Sequence, residues 1–290
     1  MKAAGLGVFL GATLVHSAAA QQKPLCEIVR GAGAIPREVR ETSGLAMSRL
    51  NPNVFWTHND GNAPRLFAID RDGRLVGVVN VRGPKMTDWE DLEAGACGAG
   101  SCLYGADTGD NLGMRRSITI YEIPEPRLGE TKEVTARAIR AGYPDGAHDA
   151  EALFRTSNGD LYIVTKGRAS PIGLYRYPVP YRYDQAIRLQ HVREIAPRPK
   201  DERDRVSAAT ITPDGRWVAI LTYRRLLFYR ADELLAGQPV TPLSFDLTPL
   251  GHKQAEAVVV DADGNVWLTT ESEKKGTPGW SQLHCTLPRD

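Results

Sequence analysis

Hydrophobic and polar positions alternate with a period of two along most of the chain, in short runs broken by Gly, Asn, Asp and Pro. Two segments, EALFRTSNGDLYIVTK from Glu151 and EAVVVDADGNVWLTTE from Glu256, align without a gap. Each reads as an apolar strand, a tight Asn-Gly or Asp-Gly turn, and a second strand rich in β-branched and aromatic residues. The unit recurs as SGLAMSRLNPNVFWTH (Ser43 to His58) and as AATITPDGRWVAILTY (Ala208 to Tyr223), whose Asp-Gly falls one place early. EDLEAGACGAGSCLYGAD, Glu90 to Asp107, is two residues longer, with the excess in the Cys97–Cys102 loop. Five copies of one hairpin identify a repeat architecture.

Two more strand-like runs follow each of the first four hairpins, such as RLFAID and RLVGVVNV after the first. Only WSQLHCTL follows the fifth, and the strand that would complete it stands at the other terminus, in LCEIVRGAG. Four-stranded units closed by strands from both ends predict an all-β, five-bladed β-propeller in a single domain over residues 21–290. Six blades are the alternative if 124–148 or 178–205 holds another hairpin. A β-sandwich is the rival fold, but it repeats no four-strand unit. The aromatics at one step of the second strand, Trp56, Tyr104, Tyr162, Trp217 and Trp267, are expected to pack between blades.

The first twenty residues read as a signal peptide: Lys2, an apolar core, then small residues up to a cleavage site after Ala20. No later apolar run is long enough to span a bilayer. The mature chain is therefore expected to be periplasmic or secreted, and to act as a monomer. Four cysteines are an even count for an oxidising compartment and predict two disulfides. A zinc site is the weaker alternative, since the spacings match no familiar ligand pattern. Cys26 and Cys285 fall in the two closing strands, where a crosslink would contribute roughly 3–5 kcal/mol by loop entropy. Net charge is +1 before Lys2 is removed. That balance suggests neither a nucleic-acid protein nor a polybasic membrane binder.

In a propeller blade the first strand lines the axis and the second returns beside it. The start of the first and the end of the second therefore share one mouth, and the hairpin turns share the other. At the starts stand Ser43, Glu90, Glu151, Ala208 and Glu256, preceded two residues earlier by Glu41, Asp88, Asp149, Val206 and Gln254. At the ends stand His58, Asp107, Lys166, Tyr223 and Glu271, with Asn59, Asp60, Asp110, Asn111 and Arg224 just beyond. The result is an acidic ring with few cations to relieve it. Water, a basic group or a metal ion must do so. Carboxylates with an asparagine nearby suit a hard cation, Ca²⁺ before Mg²⁺. The expected ligands are Glu90, Glu151 and Glu256, with Asp88, Asp107 and Asn111. His58 is the candidate base, and Glu151, Asp149 and Lys166 complete the catalytic set. Lys166 reads equally as a counter-charge or a substrate anchor, and His148 as a partner that orients Asp149. No G-x-S-x-G elbow, H-E-x-x-H, P-loop or dinucleotide fingerprint is present.

Together SGLAMS, VFWTHNDG, LFAID, DWEDLEAG, GADTGDN, YPDGAHDAEAL, LYIVTK and QAEAVVV resemble a largely uncharacterised group of exported bacterial β-propeller proteins. More loosely, the acidic mouth is similar to calcium-dependent propeller hydrolases of the gluconolactonase and paraoxonase type, and to esterase-like proteins related to propeller phytases. That resemblance implies a central Ca²⁺ held by Glu, Asp and Asn, with hydrolysis of a lactone, ester or phosphoester. Glu90, Glu151, Glu256, Asp107 and Asn111 are the positions that would play the ligand role. Ser43 and Ala208 depart from the ring in two blades, and no motif matches the several-calcium site of the phytases. The expectation is a calcium-binding, metal-assisted hydrolase of a small molecule. The alternative is a non-enzymatic propeller that binds a glycan, peptide or envelope protein.

Overall fold

Five sheets arise because each hairpin alternates residues on two buried faces, and every such sheet must cover both. The computed structural model describes residues 25–60, 63–251, 254–270 and 279–289. Residues 1–20, expected from the sequence to be a signal peptide, and Glu271 lie outside those residues. Blade 1 runs Thr42–Met47, Val54–Asn59, Arg65–Asp70 and Leu75–Arg82 from the axis outward; blade 2 runs Trp89–Cys97, Gly100–Asp107, Ile118–Pro124 and Arg137–Gly142. Blade 3 comprises Ala150–Arg155, Leu161–Thr165, Ile172–Tyr177 and Gln190–Ala196, and blade 4 Val206–Ile211, Trp217–Thr222, Arg225–Arg230 and Leu243–Asp246. Blade 5 takes three strands from the carboxyl end (Ala255–Val260, Asn265–Thr270, Gly279–Cys285) and its outer strand, Cys26–Ala34, from the amino end. Each innermost strand packs on the next, and that of blade 5 packs on that of blade 1, so the ring closes.

The chain forms five blades, not six. The two long segments that left a sixth blade open are spent on edges. Glu133–Thr135 pairs parallel with the outer strand of blade 1, and Ile187–Arg188 does the same on blade 2. Each short edge strand is drawn from the run expected to form a single outer strand of the following blade. The backbone crosses between blades at Ala136, whose N–H donates to Arg82 O, and at Leu189, whose N–H donates to Gly142 O.

Five apolar clusters fill the five gaps between blades, and each contains one of the predicted aromatics. Trp56 lies between blades 1 and 2, Tyr104 between 2 and 3, Tyr162 between 3 and 4, Trp217 between 4 and 5, and Trp267 between 5 and 1. All five are buried. Truncating a ring of this size to alanine costs about 3–5 kcal/mol. Cys26 pairs with Cys285 in register and the two form a disulfide, as do Cys97 and Cys102 at the blade 2 hairpin. Among the described residues no helix is long and apolar enough to cross a membrane.

Candidate functional site

The innermost strand of every blade carries a β-bulge at its mouth end. The register skips one residue between Thr42 and Gly44, Trp89 and Asp91, Ala150 and Ala152, Val206 and Ala208, and Ala255 and Ala257. A bulge re-aims one side chain out of the sheet. The re-aimed residues are Ser43, Glu90, Glu151, Ser207 and Glu256. Four of these match the sequence reading. In blade 4 the ring residue is Ser207 rather than Ala208, and the residue two before it is Arg205 rather than Val206.

Constant hairpin length was the flawed assumption. The first pair beyond the bulge is twelve residues apart in blades 3 and 5, but fourteen, fifteen and thirteen in blades 1, 2 and 4. Lys166 therefore corresponds to Asp60 and Thr108, not to His58 and Asp107. His58 occupies the position of Val164, inside the blade. It is fully buried, edge-on to Trp89 at 5.1 Å, with Nδ1 3.4 Å from Asn59 O. Burial lowers its pKa to about 4, so the ring is neutral.

Asp107 is a brace. Its carboxylate accepts from Arg115 at 2.8 Å and from the Asp88 and Thr87 amides at 3.0 and 3.3 Å, which fixes the approach to the blade 2 bulge. Asp149 is likewise occupied, by Arg168 Nε and the Asp110 amide, each at 2.9 Å. Asp110 in turn folds the DTGDN loop by accepting from the Met114 and Arg115 amides.

What remains at the mouth is an arc of buried side chains. Lys166 Nζ lies 2.5 Å from Glu151 Oε1 and 6.0 Å from the Tyr223 ring centroid. Burial, then Glu256, raises the Tyr223 hydroxyl to about 12, which places Glu256 at the end of the arc. In the other direction Glu90 contacts both Glu151 and Asp88, with Asp60 close enough to repel it. Glu90, Glu151 and Glu256 are 8, 4 and 8 % exposed, so the three recurring glutamates share one occluded mouth. Burial raises the pKa of Glu90 well above the usual carboxylate range, and repulsion from Glu151 and Asp88 adds to it. Asp88 and Glu151 are also raised, first by burial; Lys166 holds Glu151 back. Burial works against the Lys166 charge, but Glu151, Tyr223 and Asp149 outweigh it and raise its pKa. Two adjacent acids with raised pKa values relieve their repulsion by retaining a proton.

Gly109 makes that contact possible. A Cβ there would meet Glu90 Oε1 at 2.1 Å and Asp88 Oδ2 at 2.4 Å, so both oxygens rest on a bare Cα. Asn111 Nδ2 reaches Asp88 Oδ2 at 3.5 Å. Below the mouth, Asp91 crosses the axis: it accepts from the Leu92 and Leu153 amides at 2.8 Å and from Ala209 N at 3.2 Å. Sequence reasoning missed Asp91, Gly109 and Arg115. Asp91 had a signal, because the other four blades place Gly44, Ala152, Ala208 and Ala257 at its position. Among the described residues no group of three or more His, Cys, Asp or Glu side chains is arranged to hold a metal ion.

No protein family and no curated protein matches the chain. Among solved structures, regucalcin from Agrobacterium tumefaciens, described as a calcium-binding protein, matches at 15 % identity and a TM-score of 0.42, over 83 % of this chain and 70 % of that one. Sqt1 from Chaetomium thermophilum matches at 13 % identity and a TM-score of 0.37, over 83 % and 61 %. Likeness at this level carries neither ligand nor activity across.

Proposed function

We propose that this propeller is exported, that its axial mouth binds and hydrolyses a small ester, lactone or phosphoester, and that Ca²⁺ is the ion it takes. The observation that carries this reading is the neighbouring carboxyls of Asp88 and Glu90 laid on Gly109 beside the Glu151–Lys166 ion pair. The Gly109 cradle and the oxygen-only donors fit a hard cation in kind. The side chains do not yet converge on one point, so binding requires Glu90 to give up its proton. Asp88, Glu90 and Asn111 would hold the ion, and bound calcium supplies polarisation of a carbonyl or phosphoryl oxygen. Lys166 anchors an anionic group, and Glu151 is the base available to water. His58 has no access to the mouth, so the basic role passes from it to Glu151.

The test is calorimetric titration of chelator-stripped protein with Ca²⁺ at pH 6 and pH 8, alongside a panel of chromogenic esters, lactones and phosphoesters. Binding is expected to be tighter at pH 8, where the displaced proton leaves more easily, and to be lost in Gly109→Ala. Glu90→Gln is expected to abolish Ca²⁺ binding and turnover while keeping Tm, since burial already disfavours the charge that the substitution removes. Absence of heat at millimolar Ca²⁺ would remove calcium from the reading. A second reading, a non-enzymatic binding module, is favoured by the internal relief of the ring through Lys166, Arg115 and Arg168. A ligand-dependent rise in Tm without turnover of any substrate would select it.

A further inference from the structure

We propose that Ser170, His148 and Asp145 form a serine acyl-transfer site in a pocket beside the axial mouth, independent of the carboxylate arc. The mouth reading above does not use these residues, and no nucleophile motif marks them in the sequence. Such a constellation is recognised by geometry and roles rather than by chain order. His148 enters the innermost strand of blade 3, and Ser170 lies in the loop joining that blade's second and third strands, so both reach the mouth face. Ser170 Oγ is 3.4 Å from His148 Nδ1, and His148 Nε2 is 3.0 Å from Asp145 Oδ1.

The surrounding hydrogen bonds fix the tautomer. Tyr175 donates its hydroxyl proton to Asp145 Oδ2 at 2.7 Å, and its oxygen also stands 3.0 Å from His148 Nε2. With two acceptors facing it, Nε2 carries the hydrogen. Nδ1 is left bare, and it is the ring nitrogen that faces the serine. Tyr143 meets the imidazole edge-on at 5.0 Å and Tyr175 lies tilted against it at 5.3 Å, so the ring is held on both sides. Ser170 Oγ has one competing acceptor, Pro171 O at 3.3 Å. Loose nucleophile–base contacts of this kind tighten once a substrate fills the site.

Ser170 and His148 open onto a cavity of about 170 Å³ whose wall also includes Asn111 and Arg168. A cavity of about 150 Å³ accommodates a single benzene ring. The site therefore suits a short acyl or aryl ester, not a long chain. Ser170 Oγ attacks the carbonyl carbon as its proton passes to His148 Nδ1, and the resulting imidazolium is stabilised by Asp145. The carbonyl oxygen becomes an oxyanion, for which Arg168 in the cavity wall is the neighbouring cation. Collapse breaks the bond to the leaving alkoxide, which takes the proton from Nδ1, and leaves acyl-Ser170. Water then attacks the acyl carbon, gives one proton to Nδ1, and Ser170 recovers that proton as the carboxylic acid departs. Ser170 and His148 are the catalytic residues, and Asp145 is a positioning residue.

The experiment labels the folded full chain with an alkyl fluorophosphonate and follows intact mass and peptide mapping, with Tm measured for each variant. One adduct on Ser170 is expected. It should be absent in Ser170→Ala, form at least tenfold more slowly in His148→Gln, and slow by a smaller factor in Asp145→Asn. Guanidinium-unfolded protein should not label, which separates a built site from an exposed hydroxyl. Labelling should proceed unchanged in chelator, so failure of the calcium titration would leave this site standing. The proposal is overturned by no adduct on Ser170, by equal rates in wild type and His148→Gln, or by loss of labelling in chelator.

Discussion

Blades 2 and 4 share one backbone course at the axis and carry opposite chemistry on it. Where blade 2 places Asp88, Glu90, Asp91 and Glu93, the bulge register of blade 4 places Arg205, Ser207, Ala208 and Thr210. The difference is complementary across the channel. Asp91 accepts from Ala209 N of blade 4, and Thr210 Oγ1 donates to Glu93 Oε2 at 3.3 Å. Blade 4 is therefore the donor wall for the acids of blade 2. The shared bulge gives each blade the same opening, and what fills it is set by the neighbours across the axis rather than by the repeat.

The largest effect is expected from making blade 2 resemble blade 4 at its deepest step. Asp91→Ala would strand the Leu153 and Ala209 amides in a buried channel, at about 1–3 kcal/mol for each lost partner. Urea unfolding should report a total loss of about 2–6 kcal/mol. Asp91→Asn keeps one acceptor oxygen for both the Leu153 and Ala209 amides, and burial pushes the Asp91 carboxyl well above the usual range, so removing its charge should recover most of that loss. Equal losses in the two variants would show that the cross-axis bonds do not bind the three blades together.

A smaller effect separates the acids of blade 2 from the histidine packed on its Trp89. His58 has a folded pKa of about 4 against an unfolded 6.5. The unfolded chain thus binds the extra proton between those values, and stability is lost as pH falls from 6.5 towards 4. A shift of that size corresponds to about 3 kcal/mol. The stability difference between wild type and His58→Leu should move by that amount across the window. A constant difference would mean that His58 is not buried as a neutral ring.

How much of this was legible in the sequence follows the same division. Strand alternation, the closing strands with Cys26 and Cys285, and the aromatic step from Trp56 to Trp267 repeat in every blade, so their pattern could be read directly. Glu90, Glu151 and Glu256 were legible because the bulge residue opens each hairpin repeat. The partners on the returning strand were not, because turn length varies between blades while the bulge stays fixed. One extra residue in the blade 4 turn made Ala208 stand in for Ser207, and two in blade 1 made His58 stand in for Asp60. The early Asp-Gly was the visible trace of that shift, since Gly215 keeps the spacing from Ser207 that Gly159 keeps from Glu151. The counter-charges escaped for another reason. Arg115 reaches back to Asp107 through a folded loop, and Arg168 reaches Asp149 from the far side of a hairpin, distances that no periodicity encodes.

The smallest expected effect tests the contact that joins the two blades most directly. Glu93 is partly exposed along the channel, accepts from the Ala94 amide at 2.9 Å and from Thr210, and burial raises its pKa to about 8. Over the interval from the ordinary value of 4.5 to about 8 the folded chain keeps a proton that the unfolded chain has released. Stability must therefore fall as pH rises through that interval, the reverse of the His58 trend. Glu93→Gln supplies the same acceptor without the charge. It should match wild type at pH 4.5 and exceed it at pH 8 by about 1–2 kcal/mol after allowance for solvent screening, a few degrees of Tm. Thr210→Val should leave the sign of the pH trend in place, because burial and not the hydroxyl is its main cause. If the glutamine variant gains nothing at pH 8, Glu93 ionises freely, and the donor wall of blade 4 ends at Ala209.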